Sequence, residues 1–154
     1  MSTLEQLYAG AEKRRLDGQL TYAGAVSPVE AFQLLQLDPR ARLVDVRTQA
    51  ELDWVGKPVV GDGQYAHIEW VSYPGSRANQ QFVQQLKQIA SLDTPLLFLC
   101  RSAVRTKLAA VAATEAGFTR VFDLLEGFEG DKNGHGHRKT VSGWCFLGLP
   151  WISA

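Results

Sequence analysis

Four apolar residues, Leu96-Leu97-Phe98-Leu99, run straight into Cys100-Arg101-Ser102-Ala103-Val104-Arg105, and an alanine-rich stretch from Thr106 to Ala113 follows without a break. A short apolar run of this kind reads as a buried strand, and the alanine-rich stretch reads as a helix. What lies between leaves room for one tight turn. The chain must therefore build a strand–turn–helix unit and lay the helix across a sheet. Such a turn gathers main-chain N–H groups and the positive end of a helix around whatever it holds. Arg101 and Arg105 add fixed charge on either side. These surroundings suit an anion and mark a reactive cysteine rather than an inert one. A buried cysteine acting as a small hydrophobe is the plain alternative, and the Arg-Ser-x-x-Arg that follows Cys100 speaks against it.

The same order of elements recurs along the chain. A polar helix is expected over residues 3–17, with Leu4, Leu7, Tyr8 and Ala11 as its apolar side, docked on the domain or on a second subunit. Ser27-Pro28-Val29-Glu30 is a capping box with proline at the first helical position. Ala31, Leu34, Leu35 and Leu37 give that helix an apolar face, and Asp38-Pro39 stops it. Leu43-Val44-Asp45-Val46 reads as a buried strand. Thr48-Gln49-Ala50-Glu51 is a second capping box, opening a brief helix that ends near Gly56. Residues 57–63 read as a loop, 66–71 as a strand, and Tyr73-Pro74-Gly75 as a turn. From Asn79 onward, Phe82, Val83, Leu86 and Ile89 recur at helical spacing. Gly117 stands where a helix C′ residue should be, and residues 120–125 form a further strand. Strands alternating with helices imply an α/β fold, with a central, mostly parallel sheet of about five strands and helices on both faces. In open sheets of this class ligands gather at the carboxyl ends of strands. Cys100, Arg47 and Glu126-Gly127 all fall just past such ends.

Composition sets the outer bounds. The 154 residues carry sixteen basic and sixteen acidic side chains, so nothing draws the whole chain to nucleic acid or to an anionic membrane. No apolar stretch approaches a membrane span, and the acidic N-terminus lacks the pattern of a signal peptide. Two cysteines make no disulfide framework. A cytoplasmic protein is expected, without metal or cofactor, because reducing surroundings preserve a free reactive thiol.

Asp45-Val46-Arg47 after a buried strand, Glu51 four residues on, the Cys100–Arg105 loop and the Leu125-Glu126-Gly127 turn together resemble the rhodanese-like sulfurtransferases. The closing Gly143-Trp144 and Gly148-Leu149-Pro150-Trp151 are similar to the tail of single-domain bacterial members. The resemblance spans roughly residues 26–152, so residues 1–25 are expected to be an N-terminal helical extension and 26–154 a rhodanese-like domain. It implies covalent sulfur transfer in two steps. Cys100 would take the outer sulfur of an anionic donor such as thiosulfate and hold it as a persulfide. A thiol or cyanide, or an acceptor protein, would then remove it. Arg101, Ser102, Ala103, Val104, Arg105 and Thr106 would form the loop that binds substrate and persulfide. The fork of Arg105 is expected on the anion, with Arg101 turned outward. Asp45, Arg47, Glu126 and Gly127 would support the loop, Asp45 by satisfying buried backbone donors and Arg47 by facing the pocket.

Two departures from the family stand out. Ala103 occupies a position where many family loops carry glycine, and a positive φ there would strain an alanine. His67-Ile68-Glu69-Trp70 replaces the usual His-Ile-Pro-Gly-Ala run, which should alter the rim of the pocket.

Other chemistries share the device of a cysteine in a cradle of amides. Cysteine phosphatases and arsenate reductases place five residues between cysteine and arginine. Here four separate Cys100 from Arg105, a ring sized for one sulfur atom rather than a tetrahedral oxyanion. A persulfide carrier serving a partner protein, and an inactive recognition domain, are the non-enzyme alternatives, the latter disfavoured by the intact Cys100. Asp131, His135 and His137 sit in a glycine-rich stretch and read as solvated loop residues rather than metal ligands. Cys145, between Trp144 and Phe146, reads as a packing cysteine rather than a resolving thiol. Trp54, Trp70, Trp144 and Trp151 read as core and edge packing.

Overall fold

The structure, a computed structural model, describes all of residues 1–154. In chain order its elements are α1 (Thr3–Gly18), β1 (Gly24–Val26), α2 (Pro28–Leu37), β2 (Arg42–Asp45), α3 (Gln49–Trp54), β3 (Gly56–Pro58), β4 (Tyr65–His67), β5 (Val71–Ser72), β6 (Arg77–Ala78), α4 (Phe82–Ile89), β7 (Leu96–Leu99), α5 (Arg105–Glu115), β8 (Val121–Leu124) and β9 (Trp151–Ser153). Five strands form the central sheet in the order β1-β8-β7-β2-β4, and every pairing in it is parallel. The expected α/β architecture is the one observed. No helix is long and apolar enough to cross a membrane.

Alternation along the strands divides the core in two. Leu43, Leu97, Leu99, Phe122 and Leu124 face α1 and α2, joined by Leu7, Ala11, Ala31, Leu34 and the fully buried Trp144. Val44, Val46, Leu96, Phe98 and Val121 face α4 and α5, where Phe82, Leu86, Ala109, Ala110 and Ala113 meet them. The three alanines give α5 a flat face that lies close on the sheet. Both anticipated capping boxes form, Ser27 with Glu30 and Thr48 with Glu51, and α1 has a third between Ser2 and Glu5. Leu37 is the exception on α2 and remains exposed.

The N-terminal helix docks on its own domain. Leu7 and Ala11 are buried in the core. The Arg14 guanidinium donates to the Ala25 carbonyl (3.0 Å) and to Glu30 (2.7 Å), and the Tyr8 hydroxyl donates to Asp38 (2.6 Å). A Cβ at Gly24 would collide with the Ala11 carbonyl, so glycine is what lets α1 lie this close. The Gly24–Val26 strand pairs with β8, which puts the expected boundary at residue 25 inside a sheet strand.

Three expectations need correction. Residues 57–63 are not all loop, because Gly56–Pro58 pairs antiparallel with Trp151–Ser153 at the far end of the sequence. The strand expected over 66–71 is two pieces. It leaves the sheet after His67 and resumes at Val71 in a β5–β6 hairpin. Trp54 is not packed at all but 85% exposed.

Candidate active site

Cys100 is one residue past β7 and only 1% exposed, with its side chain among the apolar residues facing α4 and α5. Its Sγ lies 3.7 Å from Thr106 Oγ1, itself fully buried in the first turn of α5. Between them the chain makes its turn without using its own donors. None of the five main-chain N–H groups from Arg101 to Arg105 has an acceptor within the protein, and no side chain caps α5. Helix starts leave such donors orphaned, and consecutive orphans in a turn form an anion-binding cradle.

The turn is held from three sides. Ala103 has a φ of 66°, the conformation that costs a non-glycine residue about 1–2 kcal/mol. Its carbonyl accepts from Lys107 Nζ at 2.8 Å, and the same ammonium donates to Asp123 on β8, also at 2.8 Å. Asp123 is buried, and its other oxygen has no partner. Behind the turn, Phe128 N–H donates to the Cys100 carbonyl (2.8 Å), while Glu129 and Gly130 N–H groups donate to the Arg101 carbonyl. A Cβ at Gly127 would meet the Arg101 carbonyl carbon at 2.5 Å and the Ser102 nitrogen at 2.6 Å. Glycine is obligatory there because two backbones touch. Glu126, also at positive φ, accepts from Gly143 N–H at 2.9 Å and so anchors the tail rather than the pocket.

Arg101 and Arg105 both line an open cavity of about 590 Å³, with Thr48, Ala50, Glu51, Trp54 and Val55 on one side and Val71, Ser72, Tyr73 and Ser76 on the other. Contrary to expectation, the Arg105 fork is taken. It donates to both oxygens of Glu51, at 2.6 and 2.9 Å. Burial alone would raise the Glu51 carboxyl, but Arg105 and the Thr48 N–H outweigh it and hold the group at about 2. Arg101 is exposed and makes no ion pair, so it is the uncommitted cation of the cavity. The rim comes from the β5–β6 hairpin. His67-Ile68-Glu69-Trp70 lies off it, with His67 Nε2 2.7 Å from the Arg47 carbonyl and Glu69 accepting from Gln49 N–H at 2.7 Å.

Arg47 does not face the pocket. It is fully buried, bound to both oxygens of Asp45 (2.7–3.2 Å) and to the Gly56 carbonyl (2.9 Å), with Phe128 beneath it at 4.3 Å. Asp45 satisfies one backbone donor, the Arg47 N–H, but its main partners are the Arg47 guanidinium and the Tyr65 hydroxyl (2.8 Å). Burial, followed by the Asp45 charge, pushes the Tyr65 hydroxyl well up, so it stays a donor. The pair therefore ties the end of β2 to β3 and to the Phe128 segment. Breaking one partner of so buried a pair would leave an uncompensated charge.

Cys145 packs on the α1–α2 face of the sheet, whereas Cys100 points to the other. Burial pushes its thiol up to about 11, against the pull of Lys139. His135 and His137 lie on an exposed loop held by Asn133. Lys107, Asp123 and the Glu51–Arg105 pairing are the parts of the site that sequence reasoning missed. Lys107 carried a readable signal, since a residue four positions after Ala103 can reach back over one helical turn.

A parallel sheet with an open amide turn at the end of its third strand in spatial order defines a known class. The pattern of the rhodanese-like domain matches residues 28–133, and the chain belongs to that family. In fold it is similar to the crystal structure of Rv0390 from M. tuberculosis, with a TM-score of 0.78 and 41% identity over 85% of this chain and 98% of that one. In sequence it is 30% identical to the uncharacterized protein RP600 of Rickettsia prowazekii, over 82% of this chain and 94% of the relative. It is also 25% identical to the thiosulfate sulfurtransferase GlpE of Haemophilus influenzae, over 81% of this chain and 90% of the relative.

Proposed function

We propose that the protein is a sulfurtransferase that carries a sulfane sulfur on Cys100. The reading rests above all on the free amide donors from Arg101 to Arg105, arrayed beside a cysteine at the start of an uncapped helix. The thiolate of Cys100 attacks the outer sulfur of thiosulfate. The sulfur–sulfur bond of the donor breaks, and sulfite departs with its electron pair. Cys100 is left as a persulfide, whose negative charge the loop amides stabilise as an oxyanion hole would. Arg101 meets the incoming dianion, Thr106 Oγ1 accepts from the Cys100 thiol before the proton leaves, and Arg105 with Glu51 holds the mouth in shape. An acceptor thiolate or cyanide then attacks the outer sulfur and restores Cys100, which makes the cycle a covalent one in two steps.

Intact-protein mass spectrometry tests this directly. Thiosulfate should add the mass of one sulfur atom, and cyanide should remove it with release of thiocyanate. The Cys100→Ser protein should gain nothing, because a hydroxyl is too weakly acidic to serve as this nucleophile. Sulfur loading that persists in Cys100→Ser would move the site elsewhere and refute the assignment.

A further inference from the structure

The cavity is larger than an inorganic donor requires. A small dianion needs the loop amides and one cation, yet the cavity that Arg101 and Arg105 line at the two ends of the turn is about 590 Å³. Cavities of roughly 300–1,000 Å³ are the size that takes organic ligands. The walls away from the loop are mixed: Trp54 and Val55 at the end of α3 and Val71 and Tyr73 on the hairpin bring apolar surface, beside the polar Thr48, Glu51, Ser72 and Ser76.

Two of these side chains stand out in water. Trp54 is 85% exposed and Tyr73 72% exposed. Trp70, Trp144 and Trp151 each pack edge-on against a phenylalanine, while Trp54 has no such partner. A large ring left in solvent at the mouth of a cavity is the informative exception to burial. The charges set a second condition. Glu51 neutralises Arg105, which leaves Arg101 as the one unpaired cation of the cavity, free to meet the donor dianion first and an acceptor thiolate once sulfite has left.

We propose that this cavity binds an organic thiol with an aromatic or similarly flat apolar body, as its thiolate, and that this thiol is the acceptor of the Cys100 sulfur. The proposal rests on the sulfurtransferase reading and names its second substrate. Trp54 and Tyr73 cover the apolar body, and Arg101 draws in the thiolate. The thiolate attacks the outer sulfur of the Cys100 persulfide. The Cys100 sulfur–sulfur bond breaks, its electron pair returns to Sγ, and the outer sulfur departs on the acceptor as an organic persulfide. No outside oxidant or reductant enters.

The test uses protein loaded with thiosulfate, freed of excess donor, and discharged by cyanide, 2-mercaptoethanol or benzenethiol. Each thiol's rate is divided by its rate with a free alkyl persulfide at the same pH, which removes intrinsic nucleophilicity. After that correction benzenethiol should be saturable and about tenfold faster than 2-mercaptoethanol. Trp54→Ala should lower the ratio of benzenethiol to cyanide discharge about five- to tenfold, the worth of one aromatic contact. Trp54→Phe should restore most of it. Ratios indifferent to the ring and to Trp54 would overturn the proposal while leaving sulfur loading intact. Trp54-dependent discharge by a reduced dithiol protein of the thioredoxin type, with none by benzenethiol, would also overturn it and make the rim a protein-docking surface. If no sulfur loads onto Cys100, the sulfurtransferase reading falls first and this one with it.

Discussion

Replacing Glu51 with glutamine separates what its charge does from what its shape does. Glutamine keeps the reciprocal cap with Thr48 but cannot neutralise Arg105. A carboxyl held at about 2 instead of its ordinary 4.5 corresponds to about 3 kcal/mol at neutral pH, at about 1.4 kcal/mol per tenfold in proton affinity. The two side chains keep 19% and 22% of their surface in water, and screening trims the figure to about 2 kcal/mol. The sign follows from the depressed value. This stability is fully present above about pH 4.5 and fades as pH falls through about 2. Urea unfolding of parent and Glu51→Gln from pH 8 to pH 2 measures it. With a slope of about 2 kcal/mol per molar, the parent's midpoint should lie about 1 M higher down to pH 5, and the gap should close on further acidification. A variant as stable as the parent at pH 7, or a gap that widens in acid, would refute the pairing as described. The same substitution frees the Arg105 fork beside the cradle, so the KM for thiosulfate should fall in protein that remains folded.

Ala103→Gly removes the strain of a positive φ, about 1–2 kcal/mol, and loses about 0.4–1 kcal/mol to the freer unfolded chain. A net gain of about 0.5–1 kcal/mol is expected in urea unfolding, and a loss of stability would mean that the Ala103 methyl packs more than its φ costs. Arg101→Ala should raise the KM for thiosulfate more than Arg105→Ala does, because only Arg101 is free to meet the donor, and steady-state kinetics showing the reverse order would return Arg105 to the anion. Cys145→Ala should keep most of its sulfur transfer and lose about 1 kcal/mol of stability, and a folded variant that loads sulfur yet never discharges it would give Cys145 a resolving role.

Local signals carried the inner part of the fold. β2, β7 and β8 are apolar runs bounded by turn residues, and α2 and α3 announce themselves by capping boxes. β1 carried no such signal, since Gly24-Ala25-Val26 becomes a strand through its pairing with β8. β3 and β9 are likewise three residues each and exist through one another across most of the sequence. At the site, the position of Cys100 was legible because strand, turn and helix are contiguous there. The partner of Arg105 was not, because Glu51 is 54 residues away and no local pattern specifies the contact. Arg47 was misplaced although a signal existed. Asp45 and Arg47 are two residues apart at a strand's end, where side chains fall on the same face, and a buried Asp45 called for a buried counterion. Trp54 was misplaced for the opposite reason, since its residue type alone argues for burial.

The hydrogen bonds from Phe128, Glu129 and Gly130 to the back of the Cys100 turn give the site a schedule as well as a shape. During synthesis the N-terminal parts of a domain emerge first, and Cys100 leaves the ribosome before the segment that braces its turn. Until residues 127–130 follow, the back of the turn is bare, and only the Lys107–Asp123 bridge holds the Ala103 carbonyl. Trp144 N–H, which donates to the Gly127 carbonyl, comes later still. A chain halted short of residue 127 would carry the thiol and the amides of its turn without the brace behind them, so the shape of the site depends on a segment made after the site itself.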